Sequence, residues 1–222
     1  MKDNERQRGR ATMQLEEREK LEQDIQVLCK RGDLAGAVER ALEGYGQELM
    51  RLMASVLHDY ERSRDAFSLF SENLLRGLPG FRWESSFRTW AYRLARNACY
   101  QVMHAPAGRE QPVTMSKLPD AAERPRSETR PWQRTSVKER FRALRESLEP
   151  QERMLLLLRV DQRLSWEEVA RVMSEGEEPL SDSALKRKAA ALRQQFQRIK
   201  THLRSLAQEE GLIADEDSPT PA

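Results

Sequence analysis

A long interruption in the middle of this chain limits its fold more than any other feature. From His104 to Thr135 the sequence reads HAPAGREQPVTMSKLPDAAERPRSETRPWQRT, carries Pro106, Pro112, Pro119, Pro125 and Pro131, and shows no helical periodicity. Proline lacks the amide donor that a helix interior needs and disfavours helix in the residue before it. Such a stretch reads as a linker. It exceeds the roughly 12–15 residues beyond which structureless connections in compact domains become uncommon. On both sides of it apolar residues recur at steps of three and four, the spacing of one helix face. The sequence therefore predicts an all-α protein of two small helical domains joined by a flexible linker. The boundaries fall at 1–32 for a partly helical N-terminal extension, 33–104 for the first domain, 105–135 for the linker, 136–210 for the second domain and 211–222 for an acidic disordered tail.

Composition suits that reading. Of the 222 residues 33% are charged and only 38% hydrophobic, as expected of small domains with modest cores. The net charge of +2 argues against a histone-like binder of any DNA, so local charge has to carry the argument. No apolar run approaches a membrane span, and Met1-Lys2-Asp3-Asn4 opens no signal peptide, which points to a cytoplasmic protein. Cys29 and Cys99 are far apart and lack metal-ligand spacing, so both read as reduced thiols. No catalytic motif is present, and the sequence predicts neither an enzyme nor a metal or other cofactor.

Within the first half, residues 1–12 read as a disordered polar tail and Met13 to Arg31 as a charged helix with a thin stripe of Leu21, Ile25 and Leu28. Gly32 ends it, and Asp33 can cap the next helix. Leu34, Val38, Ala41, Tyr45, Leu49, Leu52 and Val56 form one face of a helix of about 25 residues, despite Gly36, Gly44 and Gly46. Arg62 to Arg76 forms another, with Phe67, Phe70 and Leu74 inward, and Pro79-Gly80 breaks it.

The stretch FRWESSFRTWAYRLARNACY (81–100) then packs Phe81, Trp83, Phe87, Trp90, Tyr92 and Tyr100 among Arg82, Arg88, Arg93 and Arg96. Aromatic faces stack on unpaired bases at about 1–3 kcal/mol per base, and guanidinium groups neutralise phosphates. The competing reading is an amphipathic helix capped by Ser85 or Ser86, with Trp90, Leu94 and Ala98 on its core face. Both can hold, with Trp90 in the core and Phe81 and Trp83 exposed in the loop before it.

That stretch closely resembles the second conserved region of extracytoplasmic-function sigma factors, whose pattern is approximately L-P-x-F-R-x-x-S-S-F-R-T-W-hydrophobic-Y-x-hydrophobic-A-R-N. Leu78, Pro79, Phe81, Arg82, Ser85, Ser86, Phe87, Arg88, Thr89, Trp90, Tyr92, Ala95, Arg96 and Asn97 match it. The resemblance implies that the first domain is a region 2-like bundle. It implies that Phe81, Arg82, Trp83, Ser85, Ser86, Phe87, Arg88, Arg93, Arg96 and Asn97 serve the downstream promoter element and its melting. It also implies that Asp65, Ser68, Leu69, Glu72 and Asn73 dock on RNA polymerase. Ser68 and Leu69 stand where the family commonly has Gln-Glu. In the family the linker threads toward the polymerase active-site and RNA-exit channel; a plain tether is the alternative.

In the second half, Val137, Phe141, Leu144 and Leu148 make a helix face, and Glu149-Pro150 starts a new helix with proline in its first turn. Met154 to Leu158 is the most hydrophobic block of the protein. Ser165-Trp166-Glu167-Glu168 forms a capping box that opens a short helix to Met173. LEPQERMLLLLRVDQRLSWEEVARVM resembles the family's fourth region, a helix-turn-helix that grips the upstream promoter element. Here SEGEEPLS (174–181) replaces the usual turn of 3–4 residues. From Ser181 a long helix buries Leu185, Ala189, Leu192, Phe196, Ile199, Leu203 and Leu206 on one stripe, and between 181 and 205 only Asp182 is acidic. Ser183, Lys186, Arg187, Lys188, Arg193, Gln194, Arg198 and Lys200 are its candidate upstream-element contacts. Two registers stay open: one puts Lys186 and Arg187 first at the groove, the other relies on Arg193, Arg198 and Lys200.

The function implied is that of an alternative sigma factor, which binds core RNA polymerase and directs promoter recognition, DNA melting and initiation. Its partners would be core polymerase and promoter DNA, with room for an anti-sigma factor. A helix-turn-helix regulator acting without polymerase and a helical protein–protein adaptor are the alternatives.

Overall fold

The computed structural model describes residues 2–105, 140–176 and 180–213, with side chains from Leu15 onward. All regular structure among them is helical. The chain divides into two compact units, 1–122 and 123–222. The expected linker beyond Ala105 and the expected tail beyond Ile213 lie outside the described residues.

The first unit is built from α1 (Lys2–Lys30), α2 (Leu34–Leu57), α3 (Tyr60–Gly77) and α4 (Phe87–His104). Local signals set most of these ends. Gly32 adopts φ +78° after α1, the Asp33 carboxylate accepts from Gly36 N, and Asp59 caps α3 by accepting from Arg62 N. Leu78–Gly80 forms a single 3-10 turn. The core is made by Tyr45, Leu49, Leu52, Met53 and Val56 of α2 with Phe67, Phe70 and Leu74 of α3. Gly44 serves the packing of α1: a Cβ there would collide with the methyls of Leu21, which seat on α2 where glycine leaves room.

Two expectations change here. The tail expected over residues 1–12 is part of α1, which starts at Lys2. Its Lys, Glu, Arg, Gln, Ala and Met are strong helix formers and outnumber Asp3, Asn4, Gly9 and Thr12. The core face of α4 is also rotated from the expected stripe. Trp90 and Leu94 are only half-buried, while Phe87, Ala91, Ala95, Ala98 and Cys99 are buried. Three alanines on that face allow α2 and α3 to approach α4 closely, which a bulky tryptophan would prevent.

The second unit contains α5 (described over 140–146), α6 (Pro150–Leu156), a π-helical turn (Leu157–Asp161), α7 (Trp166–Val172) and α8 (Asp182–Glu209). Met154, Leu155, Leu157, Leu158, Leu164, Val169, Ala170 and Val172 fill its core with Leu185, Ala189, Leu192 and Ile199 of α8. The capping box forms as the sequence suggests: Ser165 accepts from Glu168 N, and the Glu168 carboxylate accepts from Ser165 N at 2.7 Å. Phe141 is not on a core face; it is 42% exposed, whereas Leu148 is buried. Arg153 explains that end of the unit. Its guanidinium donates to the carbonyls of Arg145 (3.1 Å) and Glu146 (2.6 Å) at the C-terminus of α5 and to that of Leu148 (2.8 Å) in the turn after it.

Candidate nucleic-acid interface

The loop from Phe81 to Ser86 and the start of α4 form a single cluster of rings. Phe81 stacks on Trp90 at 4.5 Å between centroids and 17° between planes, and Trp83 leans on Phe81 at 4.9 Å. Phe87 lies beneath, edge-on to Phe81 at 6.1 Å and to Trp90 at 5.5 Å, and stacked on Tyr45 of α2 at 6.1 Å. Gly77 makes room for this arrangement, since a Cβ there would stand 3.2 Å from the Trp90 ring. Phe81 and Trp83 are therefore not the bare loop aromatics that the sequence suggests. They are half-buried against one another. Trp83 sits at φ +60°, a left-handed conformation that bulky side chains adopt only where their surroundings hold them.

Around the rings the charged candidates separate into two groups. Arg82 is exposed beside Glu84 at 3.2 Å, and Arg93 and Asn97 stand half-exposed on α4 with Trp90 and Leu94, at i, i+3, i+4 and i+7. Arg88 and Arg96 are each only 9% exposed. Arg88 donates from Nε to Glu48 of α2 at 2.8 Å and from Nη2 to the Tyr92 hydroxyl at 3.3 Å, and its guanidinium lies 5.0 Å over the Tyr92 ring. Burial works against its charge, but Tyr92 and Glu48 outweigh burial and push its pKa upward. Arg96 donates to the Asn97 side chain at 3.2 Å. Phe87 and both buried arginines thus belong to the framework under the ridge, and Phe81, Arg82, Trp83, Arg93 and Asn97 to its outer side.

Ser86, rather than Ser85, caps α4: its Oγ accepts from Thr89 N at 3.1 Å. A residue that the sequence did not single out completes the cap. Glu22 of α1 accepts from Phe87 N at 2.6 Å and from Arg88 N at 2.8 Å, and the Tyr45 hydroxyl donates to it at 3.1 Å. Its one sequence signal is an acid beside the thin apolar stripe of α1. On α3 the five other candidates share the outward side: Asp65 is exposed, and Ser68, Leu69, Glu72 and Asn73 are half-exposed, at helical spacing.

In the second unit Ser183, Lys186, Arg187, Arg193, Gln194, Arg198 and Lys200 stand exposed on α8 and Lys188 is half-exposed. Ser181 caps the helix by accepting from Ala184 N. Arg193 differs from the rest in lying 5.6 Å from the centre of the Trp166 ring of α7, and Arg159 lies 5.0 Å from the same ring. Trp166 also meets Phe196 edge-on at 5.5 Å. Both registers therefore keep exposed cations, but only Arg193 is stacked on an aromatic of the preceding helix.

Residues 41–104 match the family model for sigma-70 region 2, which covers α3, the ring cluster and α4. An extracytoplasmic-function RNA polymerase sigma factor, SigG of Mycobacterium tuberculosis, is 30% identical over 169 residues, covering 61% of this chain and 44% of that protein. The RNA polymerase sigma factor YlaC of Bacillus subtilis is 27% identical over 146 residues, covering 62% of this chain and 79% of that protein. By sequence, residues 41–104 are a sigma-70 region 2. The match spans less than half the length of the mycobacterial relative. Among the described residues, no helix is long and apolar enough to cross a membrane, and no group of three or more His, Cys, Asp or Glu could hold a metal ion.

Proposed function

We propose that this protein binds core RNA polymerase in the cytoplasm and directs promoter recognition, DNA melting and transcription initiation, without catalysing a reaction itself. The observation that carries this reading is the half-exposed ridge of Phe81, Trp83 and Trp90 with Arg82, Arg93 and Asn97, lying within the region 2 match. Half-exposed rings can stack on unpaired bases, and cations beside them can hold the backbone. Unpairing costs a few kcal/mol, and those contacts would offset it. The outward side of α3, with Asp65, Ser68, Leu69, Glu72 and Asn73, would dock on polymerase. The exposed cations of α8 would read the upstream element in the major groove. The segments 33–104 and 136–210 would act as separate domains tethered by 105–135.

The test is a transcription reaction with purified core polymerase and a cognate promoter. Promoter-specific transcripts that depend on this chain support the reading. Tight, sequence-specific DNA binding without polymerase, and no transcript with it, would favour a simple regulator. Binding to neither would favour a protein–protein adaptor.

A further inference from the structure

We infer that Glu22 is a positioning residue for promoter opening: from α1, it holds the first turn of α4 and thereby the loop 81–86 in the conformation that presents Phe81, Arg82 and Trp83. This rests on the reading that the loop meets melted DNA.

The geometry at the start of α4 supports it. The first N–H groups of a helix have no partner inside the helix. Here Ser86 serves one of them, taking Thr89 N at 3.1 Å on its hydroxyl, while its carbonyl takes Trp90 N at 3.2 Å in the first regular bond of the helix. Phe87 N and Arg88 N are served by the two oxygens of Glu22, 65 and 66 residues earlier in the chain. An anion at this end also complements the helix dipole. The carboxylate is itself aimed, because the Tyr45 hydroxyl donates to Oε1 at 3.1 Å while the Tyr45 ring stacks on Phe87. Phe87 is the next link, since its ring contacts Phe81, Trp83 and Trp90. Any shift of its backbone moves the floor on which the whole cluster rests. Trp83, at φ +60°, needs that support most. Helix α1, which lies outside the region 2 match, thus sets the shape of the loop inside it.

Glu22→Gln tests this in the full-length protein. The substitution keeps size but turns one of the two acceptors into a donor. Ile25→Val is the control, loosening the fully buried seat of the same helix without touching the carboxylate. Three measurements are made: hydrogen exchange of the Phe87 and Arg88 amides, affinity for core polymerase, and permanganate reactivity of a promoter supplied as duplex or with a pre-melted bubble. Glu22→Gln should speed exchange at one or both amides by about tenfold, the loss expected for one charge-assisted hydrogen bond. It should lower opening of the duplex to a similar extent, leave polymerase affinity within about twofold, and be largely rescued by the bubble. Ile25→Val should lower opening only in proportion to its unfolded fraction. Unchanged exchange at both amides overturns the clamp, whatever the promoter does. Faster exchange with normal opening per folded molecule, or equal loss in the two variants, reduces Glu22 to a structural cap and overturns the positioning role. Failure of the unsubstituted protein to open any promoter sinks the reading of the loop, and the positioning role with it.

Discussion

On α4, Arg88 and Arg96 are enclosed by the first unit, whereas on α8 Lys186, Arg187, Arg193, Arg198 and Lys200 stand in solvent. In sequence the two stretches look alike, each a helix with several cations beside apolar residues. The difference comes from the neighbours. Glu48 reaches Arg88 from α2, and Glu22 reaches the backbone beside it from α1, so a charge can be buried with its partner in place. Along α8 the only acid between 181 and 205 is Asp182, and removing those cations from water would be costly and uncompensated. A run of cations is a surface unless another helix brings an acid to it.

The largest effect that could break this contrast is in Arg88. Its side chain is 11% exposed and that of Glu48 20%, so Arg88→Ala leaves a carboxylate with little access to water. The expected loss is about 3 kcal/mol, and at roughly 4–8 °C per kcal/mol for a domain of this size the melting temperature falls by about 12–24 °C. Lys186→Ala with Arg187→Ala should change stability by no more than about 0.5 kcal/mol. Circular dichroism melts of the two variants decide it, and similar melts would erase the distinction between buried and surface cations.

Alkaline pH separates the units next. Burial pushes the Cys99 thiol up to about 12 and also raises the Tyr45 and Tyr92 hydroxyls, whereas residues 123–222 contain neither cysteine nor tyrosine. A folded-state pKa above the unfolded one means that stability is complete below the unfolded thiol value, near 8.5, and falls as pH rises toward about 12. At pH 10 the thiol alone should remove about 2 kcal/mol from the first unit. Calorimetry at pH 7.5 and pH 10 should show the transition of the first unit falling and that of the second holding.

A smaller effect sharpens the picture of the ridge. Trp83→Ala should cost about 1–2 kcal/mol through lost ring contacts with Phe81 and Phe87. Trp83→Gly should be at least as stable as the alanine variant, because glycine adopts φ +60° without a Cβ penalty. Urea denaturation of the pair measures this, and an alanine variant as stable as the unsubstituted protein would return Trp83 to the bare-loop role. The smallest effect on stability belongs to α8. Lys186→Ala with Arg187→Ala should lower the salt slope of DNA binding by about 1.8, if each cation neutralises one phosphate. An unchanged slope would move the contact to Arg193, Arg198 and Lys200.

What was legible in the sequence is what neighbours in sequence decide. Asp33, Ser165 with Glu168, and the Leu185–Ala189–Leu192–Ile199 stripe were readable because a cap or a helix face needs only residues three or four apart. The face of α4 was misread because tryptophan outweighs alanine on any hydropathy count, while close helix approach favours Ala91, Ala95 and Ala98. Phe141 misled for the same reason. The hold of Glu22 on α4 spans 65 residues, and no local pattern announces it. The candidate positions on α3 and α8 were legible as outward sides, because polar residues recur there at helical spacing, Leu69 being the exception.

Permanganate reactivity of a cognate promoter, with core polymerase, tests the division of labour between the two regions most directly. Trp83→Ala and the Lys186→Ala, Arg187→Ala pair are compared on linear duplex and on a pre-melted bubble, per folded molecule. With the ridge capturing unpaired bases and α8 gripping duplex DNA, both variants open the duplex poorly. The bubble then restores Trp83→Ala in large part and the α8 pair hardly at all. Rescue of the α8 pair by the bubble, with none for Trp83→Ala, would contradict it.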